Sequence, residues 1–155
     1  MQSPSSITPQ PGQPLPAAVL EAARRVNGGC GHLLVIAYRG FWCDHCREYL
    51  GDLYAITDAL ADCDTTLVCL SADDEERTEA MRQHVGNRLH LIADPQLTLI
   101  DALGLRTTDA AVTHDVSLPA AFLVHRSGVV RYSYIGRSPA DRPRPALLLL
   151  GVEQL

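Results

Sequence analysis

Four short apolar runs, HLLVIAY (32–38), TTLVCLS (65–71), LHLIAD (89–94) and AAFLV (120–124), constrain this chain more than any other feature. The first two continue through strand length with β-branched residues and no polar alternation, the pattern of strands covered on both faces. Helix-period segments lie between the runs. CREYLGDLYAITDALADC (46–63) places Cys46, Tyr49, Leu50, Leu53, Ile56 and Leu60 on one stripe, with a kink expected at Gly51. DDEERTEAMRQHV (73–85) reads as a charged helix, and QLTLIDALG (96–104) as a short helix after an Asp94-Pro95 turn. LPAAVLEAARRVNGG (15–29) is a further helix before the first strand, stopped at Asn27-Gly28-Gly29.

Buried strands alternating with helices imply right-handed parallel crossovers. AAFLVHRSGVVRYSYIG (120–136) reads as a hairpin turning at Arg126-Ser127-Gly128, which adds antiparallel strands to the sheet. The expected architecture is therefore an α/β three-layer sandwich, a central mixed sheet with helices on both faces. Residues 105–117 read as a loop, and DRPRPALLLLGVEQL (141–155) restarts as a helix after two prolines. A chain of 155 residues suits one domain, expected over 16–155.

The first residues, MQSPSSITPQPGQPL, have the Pro, Gln and Ser content of a disordered lead-in over 1–15, without the basic start and apolar core of a secretory signal. A net charge of −5 with acids and bases interspersed argues against nucleic acid as a partner, and no apolar stretch has the ~20 residues that span a bilayer. Five cysteines without the spacing of a disulfide framework fit a reducing compartment, and a cytoplasmic location is expected.

In that setting RGFWCDHC (39–46) carries the chemistry. Cys43 falls where the first strand gives way to a helix, so unpaired N–H groups and the helix dipole favour its thiolate. Cys46 lies one turn further in, placed to resolve a bond that Cys43 forms. Arg39, His45 and Arg47 add positive potential, and Asp44 opposes it. A zinc site is the competing reading, with Cys30, His32 and His45 as the remaining ligands. Structural zinc usually needs four Cys or His ligands, and only one such knuckle is present. Cys63 and Cys69 read as core residues and Cys30 as exposed; Pro119, just before AAFLV, is a place where a cis bond can turn the chain.

The segment YRGFWCDHCREYLGDL, continued by LVCLSADD, LIADPQLTLIDALGL, LPAAFLVHRSGVVRYSYIG and DRPRP, resembles the peroxiredoxin-like proteins of the alkyl hydroperoxide reductase and thiol-specific antioxidant (AhpC/TSA, redoxin) family, in the thioredoxin superfamily. The resemblance implies a thioredoxin-like fold, Cys43 as attacking thiol, Cys46 as resolving thiol and Pro119 as a cis-proline. It also implies peroxide or disulfide substrates and an external thiol reductant of the thioredoxin, glutaredoxin or low-molecular-weight type, with no bound cofactor. Where such proteins carry Pro, Thr and Arg, this chain has Ile36, Gly40 and Pro119. Arg39 and Arg137 are then the candidates to polarise a peroxide, with Trp42 and His45 as further supporting residues.

Overall fold

The computed structural model describes residues 8–155; the first seven residues of the expected lead-in lie outside them. Along the chain come α1 (Ala17–Asn27), β1 (His32–Ala37), α2 (Asp44–Tyr54), α3 (Thr57–Asp62), β2 (Thr65–Ser71), α4 (Glu75–Val85) and β3 (His90–Ala93). They are followed by α5 (Thr98–Ala102), β4 (Arg106–Thr107), β5 (Val116–Ser117), β6 (Ala120–Val124), β7 (Val130–Ile135) and α6 (Pro145–Val152). The main sheet runs β3-β2-β1-β6-β7, with β1, β2 and β3 mutually parallel and β6 and β7 antiparallel to their neighbours. The expected mixed sheet is thus present.

Strand periodicity divides the core. Leu34 and Ile36 of β1 point to the layer of α2, α4 and α6, where they meet Leu50, Leu53, Met81 and Leu148. Leu33, Val35 and Ala37 point the other way, towards Val19 and Ala23 of α1 and Ile100 of α5. A fully buried leucine of this kind contributes about 1.5–3 kcal/mol of transfer free energy. The chain therefore keeps β1 rigid between two apolar layers, and whatever follows Ala37 is held firmly in place.

Four sequence expectations change. Gly51 does not kink its helix; the break falls at Ala55-Ile56, where Ile56 N–H turns back to Leu53 C=O (3.1 Å) and Thr57 Oγ1 donates to Tyr54 C=O (2.8 Å). Residues 8–15, assigned to a disordered lead-in, pack against the hairpin turn and the first residue of the outer strand β7: Gly12 N–H donates to Val130 C=O (2.7 Å), Leu15 N–H donates to Gly128 C=O (2.9 Å), and Leu15 is 3 % exposed. An edge strand offers unpaired backbone groups, and this segment covers part of them. The 105–117 loop carries the small β4–β5 ladder. The fourth concerns Pro119 and is treated with the site. No described helix is long and apolar enough to cross a membrane.

Candidate active site

After β1, Gly40 (φ +158°) turns the chain back so closely that a Cβ there would lie 2.3 Å from Trp42 Nε1 and 2.9 Å from Asp73 Oδ1. Asp73, buried just beyond β2, accepts the Phe41 N–H at 2.7 Å and so ties this turn to the neighbouring strand. The turn delivers Cys43 to the N-cap of α2. There its Sγ accepts from the Cys46 N–H (3.4 Å) and from Arg39 Nη1 (3.3 Å).

The two sulfurs have opposite protonation preferences. The Cys43 thiol is brought down to about 5, first by the hydrogen bond from the Cys46 thiol, against the opposing effect of burial, and then by the Cys46 N–H and the charges of Arg39 and Arg142. Cys46 is pushed up, chiefly by burial and then by its role as donor to Cys43, with Arg142 pulling the other way. Cys43 is 3 % exposed and Cys46 0 %, and all five cysteines are free thiols. The reduced pair is therefore one thiolate with one neutral donor behind it.

Arg39 lies across this pair. Its guanidinium stacks 4.7 Å from the Trp42 ring centre, donates to Cys43, and is bound on its other side by the Asp109 carboxylate from the 105–117 loop. Asp109 is held as a carboxylate by the Ala111 N–H and by Arg39. From the other side, the strap 137–144 between β7 and α6 brings Arg142 Nη2 to 2.8 Å from Cys46 Sγ. Three contacts fix the strap: Arg142 Nε to Pro139 C=O (2.8 Å), Tyr49 Oη to Pro143 C=O (2.6 Å), and Tyr134 Oη to Asp141 Oδ1 (2.5 Å). Tyr49 sits one turn beyond Cys46, with its ring 5.1 Å from the Arg142 guanidinium.

Among the expected site residues, Arg39, Trp42, Cys43 and Cys46 come together. His45 is exposed on α2, and Arg47 is engaged with Asp44 and the Phe41 carbonyl, which cancels much of the opposing charge effects expected from both. Arg137 stands across a cleft of about 250 Å³ that Arg39, Asp109 and Pro119 also line. Pro119 departs from expectation: among the described residues no peptide bond is cis. The β4–β5 ladder and the Leu118 N–H bond to Leu105 C=O (2.8 Å) already steer the chain into β6, so the commoner trans bond suffices.

The residues of the zinc reading do not converge. His32 opens β1 and accepts the Arg126 N–H (2.8 Å), Cys30 is exposed beside it, and the cysteine pair follows the far end of that strand. Among the described residues no group of three His, Cys, Asp or Glu side chains is arranged to hold a metal ion. Two contacts of the site, Arg142 and Asp109, were not singled out from the sequence. The prolines of DRPRP hint that the strap is rigid; nothing local to Asp109 points to Arg39.

A reduced cysteine capping the helix that follows the central strand of a mixed five-stranded sheet defines a thioredoxin-fold thiol protein. Similar folds are those of reduced Prx3 from Vibrio vulnificus in complex with H2O2 (19 % identity, TM-score 0.77, covering 92 % of this chain and 95 % of that one) and AhpC from Enterococcus faecalis (20 %, 0.68, 80 % and 74 %). Peroxidoxin BcpB from Mycobacterium tuberculosis is a third (15 %, 0.70, 83 % and 82 %). No curated protein sequence matches the chain. The model of the AhpC/TSA family matches residues 24–133, and the chain belongs to that family of thiol-dependent oxidoreductases.

Proposed function

We propose that the protein reduces hydroperoxides, with Cys43 as the attacking and Cys46 as the resolving thiol, in one peroxiredoxin-like domain over 16–155 against which residues 8–15 pack. One observation carries this reading: a thiolate with its pKa near 5 lies under the Arg39 guanidinium at only 3 % exposure, which suits a small oxidant better than a protein disulfide. The H2O2 complex of the similarly folded Vibrio vulnificus Prx3 supports the substrate class.

The Cys43 thiolate attacks one peroxide oxygen while the O–O bond breaks. Arg39 stabilises the charge that develops on the departing oxygen, which takes a proton and leaves as water or an alcohol. Cys43 is then a sulfenic acid. The Cys46 sulfur attacks Cys43, the C43–S–OH oxygen departs as water with the Cys46 proton, and an intramolecular disulfide forms. An external thiol reductant of the thioredoxin, glutaredoxin or low-molecular-weight type returns both cysteines to thiols. The cycle requires no bound cofactor, and five free thiols suit a reducing compartment such as the cytoplasm.

Steady-state consumption of H2O2 with a recycling dithiol tests this. Turnover abolished by Cys43→Ser is expected, with much slower reduction of a small model disulfide. Efficient disulfide reduction without peroxide consumption would overturn it.

A further inference from the structure

Cys46 poses a problem that Arg39 and the helix terminus do not solve. It is fully buried, it is a donor to Cys43 in the reduced protein, and it must surrender its proton to close the disulfide. The strap places a cation directly against it. Among the described residues Arg142 has no carboxylate partner: its Nη2 faces Cys46 Sγ at 2.8 Å, its Nε serves the Pro139 carbonyl, and its Nη1 is buried with no partner. A half-buried guanidinium without a carboxylate partner is complementary to an anion formed beside it.

We propose that Arg142 is a catalytic residue of the resolving step, stabilising the Cys46 sulfur as the anion that attacks oxidised Cys43. This rests on the peroxide cycle proposed above and assigns its second half. While Cys43 is a thiolate, its hydrogen bond and its charge both keep Cys46 protonated. Oxidation to the sulfenic acid removes that charge, so two of the influences opposing ionisation are gone and burial alone remains. Arg142 at 2.8 Å and the Arg39 N–H at 3.3 Å then hold the incipient Cys46 thiolate. Its proton leaves with the sulfenic oxygen as water, the S–S bond forms, Cys46 is oxidised and the sulfenic sulfur is reduced. Tyr38, Tyr49 and Cys69 also face this region, from just beyond β1 and from α2 and β2, and burial keeps each of them neutral. Asp141, next to Arg142 on the strap, is engaged with Tyr134 and the Arg137 N–H.

Trp42 is the sole tryptophan and adjoins Cys43, so its fluorescence can report both steps in a stopped-flow reaction with H2O2. Wild-type protein should show a phase that scales with peroxide followed by one that does not, and Cys46→Ser should lack the second. Arg142→Met should slow the second phase about 30-fold and the first by no more than about threefold, the loss expected for one charge-assisted hydrogen bond. The same variant should move the pH midpoint of the second phase upward. Arg142→Lys, which keeps the charge, should recover closure to within about fivefold of wild type. Wild-type protein that consumes peroxide without forming the 43–46 disulfide would defeat the cycle itself. Normal closure in the wild type with closure in Arg142→Met within about threefold of it, or Arg142→Lys as slow as Arg142→Met, would defeat the role of Arg142 alone.

Discussion

Replacing Cys46 with alanine removes the donor that contributes most to the low pKa of Cys43, while the residue 46 N–H and Arg39 stay in place. A hydrogen bond to a charged acceptor contributes about 1.5–3 kcal/mol, so the Cys43 midpoint should rise from about 5 to about 6–7. The sign of the consequence depends on pH. At pH 7 the wild type is almost wholly thiolate and the variant at least about half, so alkylation rates should differ by no more than about twofold. At pH 5 the wild type is about half ionised and a variant with a midpoint of about 6.5 only ~3 %, so alkylation should differ roughly 15-fold. Cys46→Ser, which keeps a hydroxyl donor, should fall between the two. Cys30 is exposed and also reacts, so the rate should be read by mass spectrometry on the tryptic peptide 40–47 during iodoacetamide treatment across a pH series. A wild-type midpoint near the ordinary thiol value of about 8.5, or an alanine variant with an unchanged midpoint, would refute the reasoning.

Asp109→Asn should slow peroxide reduction about fivefold, because Arg39 loses a partly buried ionic anchor, yet should not raise the Cys43 midpoint, since a negative charge near the site is removed. Stopped-flow rates beside a thiolate titration check this, and an unchanged rate would show that Arg39 needs no such anchor. Gly40→Ala should destabilise the protein by about 2–4 kcal/mol, because its Cβ would drive into Trp42 and Asp73 from a backbone conformation that side chains avoid. Gly51→Ala meets open space inside α2 and should stabilise by about 0.5–1 kcal/mol. Urea denaturation of both variants decides; equal midpoints would contradict the packing described for Gly40.

What was legible in the sequence follows from the range over which each contact acts. β1 and β2 are readable because all but one of their residues, Thr66, are buried, and the stripe from Cys46 to Leu53 is readable because a helix repeats over neighbours. The position of Cys43 at a helix start follows from the same local pattern. Arg142 and Cys46 are 96 residues apart and Arg39 and Asp109 are 70 apart, and no periodicity links such pairs. Residues 8–15 look disordered by composition because their partners, residues 128–130 at the hairpin turn and the start of β7, lie more than a hundred residues on. Pro119 invited a cis bond because it precedes a strand beside a cysteine motif; the small β4–β5 ladder that makes that bond unnecessary is two residues per strand, too short to leave a sequence signal.

Cys43 and Cys46 share the tryptic peptide 40–47, so the most direct measurement is the mass of that peptide after reduced protein meets one equivalent of H2O2. The account predicts a loss of two hydrogens confined to that peptide, reversed by dithiol and absent in Cys43→Ser. Oxygen addition at Cys43 that persists with Cys46 still a free thiol, or no change in this peptide while peroxide disappears, would contradict it.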